Sequence, residues 1–128
     1  MDKCELLELT KKFNQPNSFS KCVYQTIEFI NQNYFTELSL DAISKSVRYN
    51  KYYICRAFKQ ETGFTIQNVV TAMRIEKAKQ LLKETNLPLS DVVFMCGFSS
   101  QSYFCYMFKK AVGKTPLRYM KEHRSLPH

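Results

Sequence analysis

Residues 53–59 read YICRAFK and residues 103–109 read YFCYMFK, which places the same residue at four of the seven positions. The offset between the two stretches is 50, and the same offset relates Gly63 to Gly113. Upstream of each stretch the best offset is 49, so the second copy has one extra residue before it. In both copies apolar residues recur at the spacing of one buried face of a helix, namely Tyr53, Ile54, Ala57 and Phe58 in the first and Tyr103, Phe104, Met107 and Phe108 in the second. The chain therefore uses one helical unit twice.

Capping signals divide the first copy into a short helix, a bend and a second helix. Ser39 precedes a helix over residues 40–47, and Asn50 precedes a helix over residues 51–61 that Gly63 ends. The second copy has matching signals in the same order: Pro88 before a helix to residue 95 or 96, Ser99 or Ser100 before a helix over 101–112, Gly113 after it, and Thr115-Pro116 before a last helix to about residue 121. Two helices joined by a three- or four-residue bend are typical of the helix-turn-helix motif.

Residues 65–84 separate the two copies and contain no Gly or Pro. Apolar residues such as Ile66, Val70 and Leu81 predict one long helix with a single apolar stripe. About 20 residues at 1.5 Å each make a rod of about 30 Å, close to the ~34 Å between successive major grooves on one face of B-DNA. The predicted fold is all-α, with two helix-turn-helix subdomains joined by a long linker helix and about seven helices in total.

The predicted organisation has five segments. They are an N-terminal extension and linker over 1–20 that includes a short helix over 2–13, a first helix-turn-helix subdomain over 21–64, the linker helix over 65–85, a second helix-turn-helix subdomain over 86–122, and a tail over 123–128.

The net charge of +8 is unevenly distributed along the chain. Residues 1–44 have four basic and six acidic side chains, whereas residues 45–128 have fifteen basic and five acidic ones. A polyanion would therefore bind the second part of the chain.

The outward stripes of the two second helices contain the candidate DNA-binding residues. Residues 45–60 and 100–121 each have five basic and no acidic side chains, whereas a merely solvated helix face mixes Glu with Lys. We expect Arg56 to bind a guanine edge and Gln101 an adenine edge. The candidate base-reading residues are Tyr52, Cys55, Arg56, Gln101, Ser102, Cys105 and Tyr106, and the candidate phosphate-binding residues are Arg48, Asn50, Lys51, Lys59, Ser100, Lys109, Lys110 and Lys114.

The sequence argues against an enzyme and against a bound metal or cofactor. Both histidines, His123 and His128, lie in the C-terminal tail, and the five cysteines include no CxxC pair. The odd number of cysteines and the lack of a signal peptide predict a cytoplasmic protein. No apolar run approaches the ~18–20 residues of a membrane span, so we expect no membrane partner.

Two alternatives stay open on the residues alone. Cys55 and Cys105 occupy matching outward positions and are candidates for a redox switch, although a small side chain at both positions explains them more simply. A helical protein-interaction module, or a basic surface for anionic lipid, would account for the charge but not for a repeated bend with matched caps.

The assembled motifs resemble the AraC/XylS family of transcription regulators over about residues 22–120. They are Leu38-Ser39-Leu40 with Ile43, Phe58-Lys59 and Thr62-Gly63 in the first unit; Arg74-Ile75, Ala78 and Leu81-Leu82 in the linker helix; and Gly97-Phe98, Ser102-Tyr103-Phe104, Phe108-Lys109-Lys110, Gly113, Thr115-Pro116 and Tyr119 in the second unit.

This resemblance implies a bilobed helical domain that binds asymmetric sites in promoter DNA as a single, monomeric unit and often recruits RNA polymerase. On the family pattern the base-reading residues given above fall where relatives have groove-facing residues. Four residues depart from the pattern: Ser44 and Val93 replace a small Ala, Arg48 stands where Gly is frequent, and Tyr106 stands where Arg is common. Because many relatives have a further sensing domain, we expect the chain to be the DNA-binding piece of a longer regulator rather than a stand-alone member.

Overall fold

The computed structural model describes residues 19–124, and seven α-helices and no strands are found among them. The helices are α1 (Lys21–Asn33), α2 (Leu40–Val47), α3 (Lys51–Thr62), α4 (Ile66–Glu84), α5 (Leu89–Met95), α6 (Gln101–Val112) and α7 (Pro116–His123). The all-α class predicted from the sequence is confirmed. The short helix predicted over residues 2–13 lies outside the described residues.

Side-chain caps begin most of these helices where the sequence predicts them. The hydroxyl oxygens of Ser39 and Ser100 accept hydrogen bonds from backbone amides in the first turns of α2 and α6, and Asn50 Oδ1 does the same at α3. Thr65 and Asn68 form a reciprocal capping box at the start of α4. Pro88 occupies the N-cap position of α5 without a side-chain hydrogen bond. The residue at which the second helix of each unit begins is thus set by a neighbouring side chain.

Two hydrophobic cores divide the molecule into two lobes. The first lobe consists of α1, α2, α3 and the first half of α4, and its core contains the fully buried Ile43, Ile54 and Phe58. The second lobe consists of the second half of α4 with α5, α6 and α7, and its core contains the fully buried Phe104 and Phe108.

The single apolar stripe predicted for the linker helix is wrong, because α4 buries a different face in each lobe. Ile66, Val69, Val70, Ala72 and Met73 pack in the first core, and Ile75, Ala78, Leu81 and Leu82 pack in the second. At 3.6 residues per turn, the mean directions of these two sets differ by roughly 160° around the helix axis. The 19 residues of α4 therefore lie between two cores on nearly opposite sides of the helix.

Each of the two bends contains one residue in the left-handed region, but the residue type differs. Arg48 ends α2 in the left-handed region, at φ 62° and ψ 37°, and it is the one non-glycine residue with positive φ among residues 19–124. In the second unit Gly97 has the positive φ, at 91°. Residues 48 and 97 correspond at the upstream offset of 49, so the left-handed position is the same in both bends. The extra residue of the second copy follows this position, before the cap of α6.

Candidate nucleic-acid interface

The outer face of α3 exposes every base-reading residue predicted in the first lobe. Tyr52 is 71% exposed, and Cys55 and Arg56 are also exposed. On the opposite face Ile54 and Phe58 are completely buried, which fixes the rotation of the helix about its axis. The three predicted residues thus share one solvent-facing stripe.

The outer face of α6 repeats this arrangement in the second lobe. Gln101 and Ser102 are exposed in the first turn, and Tyr106 is 63% exposed one turn later. Cys105 is only partly exposed, unlike Cys55 at the equivalent position of α3. The two outer faces are therefore similar in shape but not identical in chemistry.

The apolar faces predicted for these two helices include Tyr53 and Tyr103, but neither side chain is buried. Tyr53 is 50% exposed and Tyr103 is 44% exposed. The Tyr53 ring stacks on the ring of Tyr49 with centroids 5.7 Å apart, and the Tyr103 ring lies 6.1 Å from that of Phe98. Each helix thus presents a second, bend-supported tyrosine beside its outer stripe. The signal that could have revealed them is the tyrosine at the same position of both copies.

The predicted phosphate-binding residues of the first lobe cluster at the start of α3. Arg48 and Asn50 are exposed in the bend, and Asn50 also caps the helix through a hydrogen bond from the amide of Tyr52 at 2.8 Å. The Lys51 ammonium lies 3.3 Å from a carboxylate oxygen of Asp41 and 5.7 Å from the centroid of the Tyr52 ring. Lys51 therefore has an acidic partner that comes from outside the acid-free stretch.

The remaining predicted phosphate-binding residues differ in their partners. The Lys59 ammonium donates a hydrogen bond to the Gly63 carbonyl at 3.1 Å, which gives this carbonyl at the end of α3 a partner. Lys109 and Lys110 are exposed, and the Lys110 ammonium lies 5.9 Å from the centroid of the Tyr106 ring. The Ser100 hydroxyl oxygen accepts a hydrogen bond from the backbone amide of Tyr103 and so caps α6.

Lys114 forms an ion pair with Glu122 of α7, whereas the acid-free stretch around it in the sequence indicates no acidic partner. Hydrogen bonds from Lys114, and then from Arg118, hold the pKa of the exposed Glu122 carboxyl below its ordinary value. A phosphate contact by Lys114 would have to compete with this pair. The acid-free stretch 100–121 thus also acquires an acidic partner through the fold.

The cysteines separate into exposed and buried thiols. Cys55 is exposed on α3, whereas Cys22 and Cys96 are buried in the two cores. Burial raises the pKa of the Cys96 thiol to about 11. Within residues 19–124 no three His, Cys, Asp or Glu side chains are grouped as a metal site would require.

None of the helices described is both long and apolar enough to cross a membrane.

Comparison with known proteins places this geometry among helix-turn-helix domains. A family model described as a helix-turn-helix domain matches residues 43–122. An uncharacterised helix-turn-helix transcriptional regulator encoded in the 5′ region of cgkA in Pseudoalteromonas carrageenovora is 31% identical over 107 residues, which are 83% of this chain and 63% of that protein.

Two solved structures have the same fold. The C-terminal domain of AraT, a response regulator from Geobacillus stearothermophilus, superposes with a TM-score of 0.80 at 29% identity, covering 86% of this chain and 92% of that one. The DNA-binding domain of AdpA, solved with its target DNA, superposes with a TM-score of 0.75 at 18% identity, covering 82% of this chain and 95% of that one. The chain thus spans nearly all of these isolated domains but less than two thirds of the full-length regulator from P. carrageenovora.

Proposed function

The chain belongs to the AraC/XylS family of helix-turn-helix transcription regulators, and from that membership we propose that it binds promoter DNA by inserting α3 and α6 into adjacent major grooves. The observation that carries the proposal is the repeated exposed stripe. Both helices bury an apolar face, and both present an acid-free face with two exposed tyrosines in equivalent lobes. A helix of this kind at the second position of a helix-turn-helix unit is the one that enters the groove.

The base-reading roles follow from side-chain chemistry. Arg56 can donate two parallel hydrogen bonds to the O6 and N7 atoms of guanine, and Gln101 can pair with adenine. Ser102 can bond several base edges, and the rings of Tyr52 and Tyr106 can lie against thymine methyl groups or sugars. Cys55 and Cys105 would contribute small contacts in the same grooves. Because α6 has Tyr106 where α3 has Arg56, we propose that the first lobe supplies the guanine contact.

The phosphate-binding roles rest on position and charge. Arg48, Asn50 and Lys51 surround the start of α3, where the positive end of the helix dipole also favours an anion. The remaining residues of the set are Lys59, Ser100, Lys109, Lys110 and Lys114. We add the Tyr53 and Tyr103 hydroxyls, because both rings are half-exposed beside the outer stripes. These contacts fix the position of the protein on DNA without reading sequence.

We further propose that one chain binds one asymmetric site, because a single molecule already contains two recognition helices. The subdomain limits of 21–64 and 86–122 on either side of a linker over 65–85 belong to the same proposal. So do the activation of transcription through RNA polymerase and a place for this chain inside a longer regulator.

Selection of bound fragments from a random DNA pool tests the function directly. We expect one asymmetric motif with two half-sites about 10–10.5 base pairs apart, the repeat of the duplex. Binding should weaken steeply with salt, because each neutralised phosphate releases counterions. A pool that stays random after repeated rounds, or tighter binding to phosphatidylglycerol vesicles than to any DNA, would overturn the proposal. Run-off transcription from a promoter carrying the motif then tests activation.

A further inference from the structure

The two lobes meet where the loop between α1 and α2 lies against the bend between α5 and α6. A Cβ atom built on Gly97 would stand 2.8 Å from the carbonyl oxygen of Tyr34 and 2.9 Å from the carbonyl carbon of Phe35. Cβ atoms do not approach other atoms so closely, so the backbones of the two lobes touch only because residue 97 is glycine. This contact lies outside the long helix that the lobes share.

Arg74 of α4 fastens the same junction from the side. Its Nε atom donates to the Tyr34 carbonyl at 2.6 Å, and a terminal guanidinium nitrogen donates to the Thr36 carbonyl at 2.9 Å. The guanidinium carbon also lies 5.9 Å from the centroid of the Phe98 ring. One side chain therefore binds the loop of the first lobe and the bend of the second.

The bend residue that Arg74 covers leads directly into a recognition helix. The Phe98 ring lies edge-on to the ring of Phe104, with centroids 5.1 Å apart, and 6.1 Å from the ring of Tyr103. On the other side, the loop that Arg74 holds connects α1 to α2, the first helix of the other helix-turn-helix unit. A continuous set of contacts thus links the two units.

We propose that Arg74 is a positioning residue that fixes the two lobes relative to each other, so that α3 and α6 keep one separation and the protein tolerates one half-site spacing. Its role in DNA recognition rests on the proposed function. The physical reason is preorganisation: a rigid pair of recognition helices binds its second half-site without loss of conformational freedom, and a loosened pair does not.

The distance between the recognition helices can be measured without DNA. Nitroxide labels on the native thiols of Cys55 and Cys105, in a Cys4→Ser background, would report this distance by pulsed electron paramagnetic resonance, because Cys22 and Cys96 are buried. We expect a narrow distribution in the parent chain and a broader or shifted one in Arg74→Ala. Lys83→Ala, an exposed position on the same helix, is the matched control and should change nothing.

Conservative variants keep the test decisive. Arg74→Lys keeps the charge and can reach one carbonyl, so it should restore part of the narrow distribution. Arg74→Gln, which keeps a donating amide, replaces Arg74→Ala if circular dichroism shows that the alanine variant is unfolded. Distributions for the Arg74 variants that match the parent chain would refute the proposal.

The functional arm compares the selected DNA site with versions that have one or two base pairs inserted between the half-sites. We expect Arg74→Ala to lose about tenfold in affinity for the intact site and to be penalised less than the parent chain by the insertions. An unchanged insertion penalty would overturn the inference. If the parent chain selects no motif, the proposed function fails, while the distance measurement still decides whether Arg74 positions the lobes.

Discussion

The Ser44 hydroxyl donates a hydrogen bond to the carbonyl oxygen of Tyr49 across the first bend, at a distance of 2.5 Å. Ser44 is half-buried, and the bond ties α2 to the residue that precedes the cap of α3. A serine at a position where the family usually has alanine thus has a local structural reason in this chain.

Replacement of this serine should therefore destabilise the fold. Ser46→Ala is the matched control, because Ser46 is exposed on the same helix, and it cancels the intrinsic helix preference of alanine. We expect the free energy of unfolding to be about 1 kcal/mol lower for Ser44→Ala than for Ser46→Ala, the usual value of one hydrogen bond. Urea denaturation followed by circular dichroism measures both. Equal values would mean that the bond does not stabilise the bend.

Arg48 should show opposite effects on folding and on DNA binding. A left-handed conformation costs a non-glycine residue about 1 kcal/mol or more, so Arg48→Gly should stabilise the fold or leave it unchanged. Loss of the proposed phosphate contact should weaken binding on every DNA sequence and reduce the slope of log affinity against log salt by about one unit. Thermal unfolding and fluorescence anisotropy at several salt concentrations measure the two effects. A less stable variant with unchanged affinity would contradict both assignments.

Gly97 and Gly113 have nearly the same backbone angle in different surroundings, with φ of 91° and 89°. A Cβ atom at Gly113 meets nothing within 4 Å, whereas one at Gly97 meets the Tyr34–Phe35 backbone. We expect Gly113→Ala to cost about 1–2 kcal/mol from backbone strain alone, and Gly97→Ala to cost clearly more. Chemical denaturation of the two variants gives the difference. If the costs are equal, the close approach of the lobes does not contribute to stability.

Alanine substitutions at Arg56 and Lys109 should change DNA binding in different ways. Arg56→Ala removes a proposed guanine contact, so binding to the selected site should fall by about 1–3 kcal/mol with relaxed preference at one base pair. Lys109→Ala removes a proposed phosphate contact and should weaken binding to selected and random DNA alike. Anisotropy titrations on both DNAs separate the two patterns. The same pattern for both variants would contradict the division between base-reading and phosphate-binding residues.

The buried Cys96 thiol should resist alkylation, whereas Cys55 should react readily. Burial raises the pKa of Cys96 from 9.0 to about 11, so its reactive thiolate is scarce below that pH in the folded protein. The thiol has its ordinary pKa in the unfolded chain, so the unfolded chain loses this proton at a lower pH than the folded protein does. The contribution of Cys96 to the free energy of unfolding should therefore fall as the pH rises from 9 towards 11. Mass spectrometry of iodoacetamide-treated protein at pH 8 measures the order of reaction. Modification of Cys96 before Cys55 would be the contrary result.

Local signals in the sequence predicted the helices well, because caps act over three residues and leave a readable pattern. Ser39, Asn50 and Thr115 cap the helices for which they were predicted to do so, and Ser100 is the one of the two predicted candidates that caps α6. The exposed outer stripes of α3 and α6 followed from the same periodicity.

Features that depend on distant contacts were missed. Asp41 and Glu122 pair with Lys51 and Lys114 from outside the acid-free stretches, across separations of 10 and 8 residues. Arg74 binds carbonyls 40 and 38 residues earlier, which no periodicity indicates. The change of buried face within α4 was missed for another reason: the apolar residues of both halves were assigned to one stripe, although their spacing points to nearly opposite sides of the helix.

That change of face between Met73 and Ile75 has a consequence for protein engineering. Neither lobe can be produced alone together with the whole of α4, because the half of α4 that packs in the other lobe would then expose its apolar face to water. A hybrid regulator that takes one lobe from a relative would need its crossover within this short interval. Each half of the helix would then keep the core residues against which it packs.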